Sequence, residues 1–210
     1  MTGSTSIEPR QPIRKDLLLI SDMIESGTRV LDIGCGDGVL LDYLGNVKNV
    51  DGRGIELSQS GVNACVRQGL SVVQGDADTD LVDYPSLAFD YAVLSETLQA
   101  TRAPDELLRQ LVRIARHAIV SFTNFGHWQI RLSLLLNGRM PAIGQGENWY
   151  DTPNIHLCTM RDFAELCDEL DLRVERAVSL NEDGVSREFR HIGLAANLRG
   201  EQGIFLLAHN

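Results

Sequence analysis

The chain has 210 residues, with 29 acidic against 19 basic side chains and a formal net charge of −10. That balance, with a pI near 4.9, argues against the basic surface that nonspecific nucleic-acid binding needs, so DNA and long RNA are not expected partners. Its apolar runs are only a few residues long, which excludes a membrane-spanning helix and the apolar core of a secretory leader and predicts a cytoplasmic protein.

Residues 1–12 mix Ser, Thr, Gly, Pro and Gln with isolated apolar positions and are predicted to be a disordered tail. Residues 13–210 are long enough for one domain burying roughly 70% of its extended surface. From Lys15 to Ile24, Leu17, Leu18, Ile20, Met23 and Ile24 recur at helical spacing, and Gly27 closes the element.

Val30, Leu31 and Ile33 form the apolar run of a buried strand that enters Gly34-Cys35-Gly36-Asp37-Gly38. The glycines allow a tight turn and close approach of a ligand, and backbone N–H groups after the turn favour an anionic or electron-rich group. Their spacing is G-x-G-x-G, which differs from the dinucleotide fingerprint. A short helix from Val39 to Leu44 follows, ending at Gly45.

A second strand finishes at Glu56, twenty residues after Gly36. A carboxylate there is placed to accept hydrogen bonds from the two hydroxyls of a ribose lying over the glycine turn. Ser58 to Gln68 reads as a helix with Val62, Cys65 and Val66 inward and Gly69 as its stop. A third strand, Leu70 to Val73, runs into Gly75-Asp76-Ala77, and the nearby Asp78, Asp80 and Asp83 read as solvated. For Asp32 and Asp76, turn or helix capping is the alternative to ligand binding.

Phe89 to Leu94 is a fourth strand ending in Ser95 and Glu96, Pro104 to Ile114 a helix with Pro104 in its first turn, and Ala118 to Phe122 a fifth strand. This alternation predicts a doubly wound, mostly parallel α/β sheet, in which strand tips meet in one crevice. An insert then occupies 123–158. Its Trp128 to Leu136 run is apolar over more than one face, so it packs under another part of the insert or meets a second chain, including a second copy as a homodimer. Thr159 caps a helix from Arg161 to Leu170, Leu172 to Leu180 is a strand, Asn181 to Arg190 a polar loop or hairpin tip, and Gly203 to Ala208 the last strand. Cys35, Cys65, Cys158 and Cys167 lie apart without C-x-x-C spacing, which predicts reduced thiols and no metal site.

The glycine turn, Glu56 and Asp76 together resemble the class I S-adenosylmethionine-dependent methyltransferase fold, which implies a seven-stranded sheet with its last strand antiparallel. By that resemblance Asp32, Gly34 and Gly36 surround the methionine part of the cofactor, Glu56 holds the ribose, and Asp76 with Ala77 contacts the adenine. Cys35, Leu57, Gly75 and Ser95 complete the cofactor-binding set, for S-adenosylmethionine or S-adenosylhomocysteine. Acceptor-side candidates are His127, Tyr150 and His156 as catalytic groups, with Glu96 beside them; a histidine can serve as base near neutral pH or simply hold structure.

Beyond the tail the chain also resembles the MetW family of methionine-biosynthesis proteins. Val30 to Gly38, Ser95 to Ala100, Ser121 to Trp128, Gly138 to Pro141, Trp149 to Thr159, Asn197-Leu198 and Glu201-Gln202 carry that resemblance. Glu96, where the family more often has glutamine, and the glycine-rich Gly144 to Gly146 depart from it. The resemblance implies an accessory subunit that activates a homoserine O-acyltransferase of the MetX type. No G-x-S-x-G elbow occurs, so acyl transfer would belong to that partner. The alternative is a methyltransferase acting on a small molecule.

Overall fold

The computed structural model describes residues 13–140, 152, 154–181, 183–189 and 193–210. The tail predicted over 1–12, Gly144 to Gly146 and Tyr150 lie outside the described residues.

Helices α1 (Lys15–Asp22), α2 (Val39–Lys48), α3 (Gln59–Arg67) and α4 (Pro104–Ile114) alternate with strands β1 (Arg29–Ile33), β2 (Asp51–Glu56), β3 (Ser71–Gln74), β4 (Phe89–Ser95) and β5 (Ala115–Thr123). The insert contributes α5 (Trp128–Asn137). Then come α6 (Met160–Glu169), β6 (Leu172–Leu180), β7 (Ser186–Glu188), α7 (Leu194–Arg199) and β8 (Gln202–His209). The sheet order is β3-β2-β1-β4-β5-β8-β6-β7. β1 to β5 pair in parallel, and β8 enters antiparallel between β5 and β6.

Alternation along the strands sorts the core onto two faces. Val30, Tyr91 and Val93 pack with Leu17 and Ile20 of α1 and Leu40 and Leu44 of α2. Leu31, Ile33, Ala92 and Leu94 face the other side with Leu108 and Leu111 of α4 and Phe163 of α6. On that side Phe122 stands 4.7 Å from Phe163 and 5.6 Å from Phe205. A capping box starts α6, in which the Thr159 hydroxyl accepts from Asp162 N–H while the Asp162 carboxylate accepts from Thr159 N–H.

The segment predicted as a polar loop or hairpin tip after Asn181 turns back as β7 along the outer edge of β6, a hairpin that adds an eighth strand to the expected sheet. Three other expectations need correction. Gly45 does not stop α2: burial of Leu44 and a bond from Lys48 Nζ to the Ile24 carbonyl at 2.8 Å carry the helix on to Asn49, whose left-handed backbone ends it. Val66 is exposed, since only Val62 and Cys65 of α3 point inward. Asp78 and Asp80 are not merely solvated. Asp78 accepts from Arg102 N–H at 3.0 Å and Asp80 from Asp76 N–H at 2.9 Å, because these loop amides have no strand partner.

The return from the insert is fixed by Asn124, which is fully buried. Its Nδ2 donates to the carbonyls of Asn197 (2.8 Å) and Gly200 (2.7 Å), and its Oδ1 accepts from Gly126 N–H (2.9 Å) and Met160 N–H (3.1 Å). Asn124→Ala leaves four buried backbone groups short of a partner and is expected to destabilise by about 3 kcal/mol. The measurement is a lower urea midpoint at unchanged slope; an unchanged midpoint would refute the clasp.

Candidate functional site

The strand order reverses around β1, whose neighbours β2 and β4 send their connections to opposite sides, so a crevice opens beyond its carboxyl end. Asp32 has the same parity as Val30 and lies under α1 and α2, 3% exposed. Gly34 has φ +74°, and a Cβ there would meet Thr97 Oγ1 at 2.5 Å. Gly36 has φ +57° with nothing within 4 Å of where a Cβ would sit. The first glycine is demanded by packing, and the second leaves backbone bare toward the crevice.

Glu56 turns back over this loop. Its Oε2 accepts from Gly36 N–H at 2.9 Å and its Oε1 from Ser58 N–H at 2.8 Å. A carboxylate offers about four lone-pair sites, so two remain for a ligand. Close approach depends on Gly61, where a Cβ would meet Glu56 Cγ at 2.7 Å and the Gly36 carbonyl at 2.8 Å. Gly61 was not among the sequence candidates; its signal was a glycine in the first turn of the helix after the acid.

Two cavities meet at Gly34. The first, about 410 Å³, is lined by Asp32, Cys35, Gly36, Ser95 and Glu96, with Arg14 from the entry to α1. The second, about 310 Å³, is lined by Glu56, Leu57, Gly75, Asp76, Ala77 and Thr97. Each of the ten cofactor-binding candidates thus borders one or the other. Their side chains differ in what they offer. The Cys35 thiol packs against Leu41 and Cys65, and burial pushes its pKa well above the usual thiol range. Asp76 Oδ1 accepts from Asp78 N–H at 3.0 Å. Ser95 Oγ accepts from the Ser121 hydroxyl at 3.3 Å.

Asp32 is the most telling group. Its carboxyl has no hydrogen bond or ion pair with any described residue, and burial, with the Glu56 charge adding to it, raises its pKa from 3.8 to about 7. A buried acid of this kind, on the wall of a cavity, suits a cationic ligand group that would restore its charge. Beyond it, Glu96 sits in the left-handed region at φ +52° with its N–H donating to the Ser121 carbonyl at 2.9 Å. Its carboxylate accepts from Gln202 Nε2.

The acceptor-side candidates are not gathered together. His127 is 6% exposed and borders a separate cavity with Trp128, β6, β7 and α7. His156 lines another with Gln99, Leu157 and Phe163, its ring nitrogen 3.3 Å from the Arg102 carbonyl. Tyr150 lies outside the described residues. Arg14 and Thr97 join the crevice from remote segments, and Gln202 reaches it through Glu96; Thr97 and Gln202 lie in stretches that carry the family resemblance but had no role assigned, and nothing local marks Arg14. Among the described residues no group of three His, Cys, Asp or Glu could hold a metal ion, and no helix is long and apolar enough to cross a membrane.

Residues 14–207 match the family model described as methionine biosynthesis protein MetW. The chain belongs to the MetW family. A curated relative, the bifunctional methionine biosynthesis protein MetXA/MetW of Rhodopirellula baltica, is 34% identical over 169 residues, which are 76% of this chain. The MetW-family chain spans 27% of that relative's length. In fold it is similar to a S-adenosylmethionine-dependent methyltransferase from Thermotoga maritima (TM-score 0.69, 15% identity, 93% of this chain and 88% of the other). Another from Archaeoglobus fulgidus gives 0.65 at 17% identity, covering 93% and 92%. At those identities the likeness is of fold, and it confirms the methyltransferase-like sheet for this MetW-family member.

The raised pKa of Asp32 has a sign that can be checked. Folded protein binds a proton more tightly than the unfolded chain, so the stabilisation is full below about pH 4 and is lost as pH rises through about 7. Ligand-free stability attributable to Asp32 is expected to fall by about 3 kcal/mol between pH 5 and pH 8. Asp32→Asn should flatten that fall in urea titrations across the range; identical pH profiles for the two proteins would contradict the burial argument.

Proposed function

We propose that this protein binds S-adenosylmethionine or S-adenosylhomocysteine across the glycine turn and passes a methyl group to a small molecule. The observation that carries the proposal is the unpaired, buried Asp32 beneath the bare backbone of Gly36, with Glu56 beside it. Bound S-adenosylmethionine supplies a methyl already activated on a sulfonium, so the protein has mainly to position and to exclude water. Asp32 takes the ligand's ammonium group, directly or through water. Glu56 accepts from the ribose hydroxyls with the lone pairs its backbone contacts leave free. Leu57 and Ala77 cover the adenine, while Gly75 and the backbone of Asp76 meet its edge. Glu96, rather than His127 or His156, borders the cavity of Asp32 and Ser95, and a carboxylate there can hold a proton given up by an acceptor.

A second reading, the accessory one, is favoured by two observations. The relative that matches this chain over part of its length is named as a bifunctional MetXA/MetW protein. Moreover α5 has no buried residue and exposes Trp128, Leu132, Leu135 and Leu136, the last two at 80% and 71%, an apolar face suited to a protein partner. In that reading the protein activates a homoserine O-acyltransferase of the MetX type, α5 contacts it, and the nucleoside pocket reports ligand level through differential affinity between two states. A second copy of this chain on α5 is the homodimer alternative. Either reading suits a reduced, cytoplasmic protein with four free thiols.

Calorimetric titration with S-adenosylhomocysteine is expected to give one site per chain, weakened on the order of tenfold or more by Glu56→Ala, which removes a pair of charge-assisted contacts. No heat with the wild type would overturn the nucleoside pocket. Labelled methyl recovered in a small molecule selects the first reading. Rate gain of a homoserine O-acyltransferase on mixing, lost when Leu135→Asp and Leu136→Asp are combined, selects the second.

A further inference from the structure

The cavity that holds His127 lies outside the nucleoside crevice, and no role assigned so far uses it. It measures about 290 Å³ and is lined by His127 and Trp128 at the start of α5, Asp183 in the turn before β7, Arg187 on β7, Arg199 at the end of α7 and Glu201. Asn124 ties together the segments that carry these residues, since its side chain clasps Gly126, Asn197 and Gly200 and its N–H meets the Glu201 carbonyl. His127, Trp128 and Glu201 thus meet here from distant parts of the chain.

Three charged side chains of this cavity form no ion pair with one another. Arg187 and Arg199 form no ion pair with any described residue, and the Asp183 carboxylate likewise has none, although all three border one space. Glu201 also lines the wall and has an interaction of its own. Two arginines and one aspartate that border a small space without pairing leave both signs open to a guest that carries both. Trp128, half exposed, supplies an aromatic face beside them.

We infer that this cavity is a second binding site, for a free α-amino acid. Its carboxylate is received by Arg187 and Arg199, its ammonium by Asp183, and its side chain lies along Trp128. The site is separate from the nucleoside pocket and does not depend on methyl transfer.

Three probes distinguish the possibilities by calorimetry on the full chain, with tryptophan fluorescence as a second readout. They are L-methionine, L-methioninol, which lacks the carboxylate, and N-acetyl-L-methionine, which lacks the ammonium. L-methionine is expected to bind at least tenfold more tightly than either, and the R187Q/R199Q double variant to lose that binding while its affinity for S-adenosylhomocysteine stays within about twofold. Both arginines are exposed, so the variant is expected to fold, and an unchanged thermal midpoint checks it. Absence of L-methionine binding overturns the site. Equal binding of N-acetyl-L-methionine overturns the zwitterion assignment in favour of a plain anion. Failure of S-adenosylhomocysteine alone would count against the nucleoside pocket and leave this inference standing.

Discussion

The crevice depends on one carboxylate that joins two strand-to-helix turns. Glu56 ends β2, yet its oxygens accept from the loop after β1 and from the first residue before α3. Without those bonds the Gly36 N–H would have to find another partner, and the two turns would be held by the bonds of Gly34 and Cys35 N–H to the Ile55 carbonyl and of the Cys65 thiol to the Gly36 carbonyl. Gly61 makes the arrangement possible by leaving no side chain between Glu56 and the Gly36 carbonyl. The same carboxylate raises the proton affinity of Asp32, so geometry and electrostatics of the cleft are set together.

A second constraint is what burial does to Asp32. Removing an acid from water without giving it a partner disfavours its charged form. The ligand-free protein tolerates this strain at a position where a cation can relieve it. Binding and stability are therefore opposed there, which is the usual condition of a functional residue inside a core.

Much of the fold was readable because neighbouring residues carry its signals. Val30 to Gly38 announces a buried strand and a turn by itself, and Pro104 to Ile114 has the bounds of α4 as predicted. The twenty-residue step to Glu56 reflects one strand-helix-strand repeat, so it also survives in the sequence. What was not readable depends on distant segments. α7 has six residues, too few for a helical period to register, and β7 is three exposed polar residues that become a strand only by meeting β6. Arg14, Thr97 and Gln202 reach the crevice through the tertiary fold. His127 has the chemistry of a base wherever it lies, and only the position of α5 beside β6 and α7 assigns it to another cavity. Apolar residues over more than one face of α5 signalled a cover, from the insert or from a second chain, without naming which.

The base of the excursion after β5 is closed. Phe125 N–H donates to the Cys158 carbonyl at 3.1 Å, and Asn124 bonds to both the start of α6 and the end of α7. The chain departs and returns through this clasp, and the β5-β8 ladder continues beneath it without a register break. On the return, Ile155 N–H and His156 N–H both donate to the Gln99 carbonyl, at 2.8 and 3.0 Å. Gln99 belongs to the segment after β4 whose neighbours Thr97 and Ala100 line the crevice, so a change in the returning stretch is felt at the rim of the nucleoside pocket.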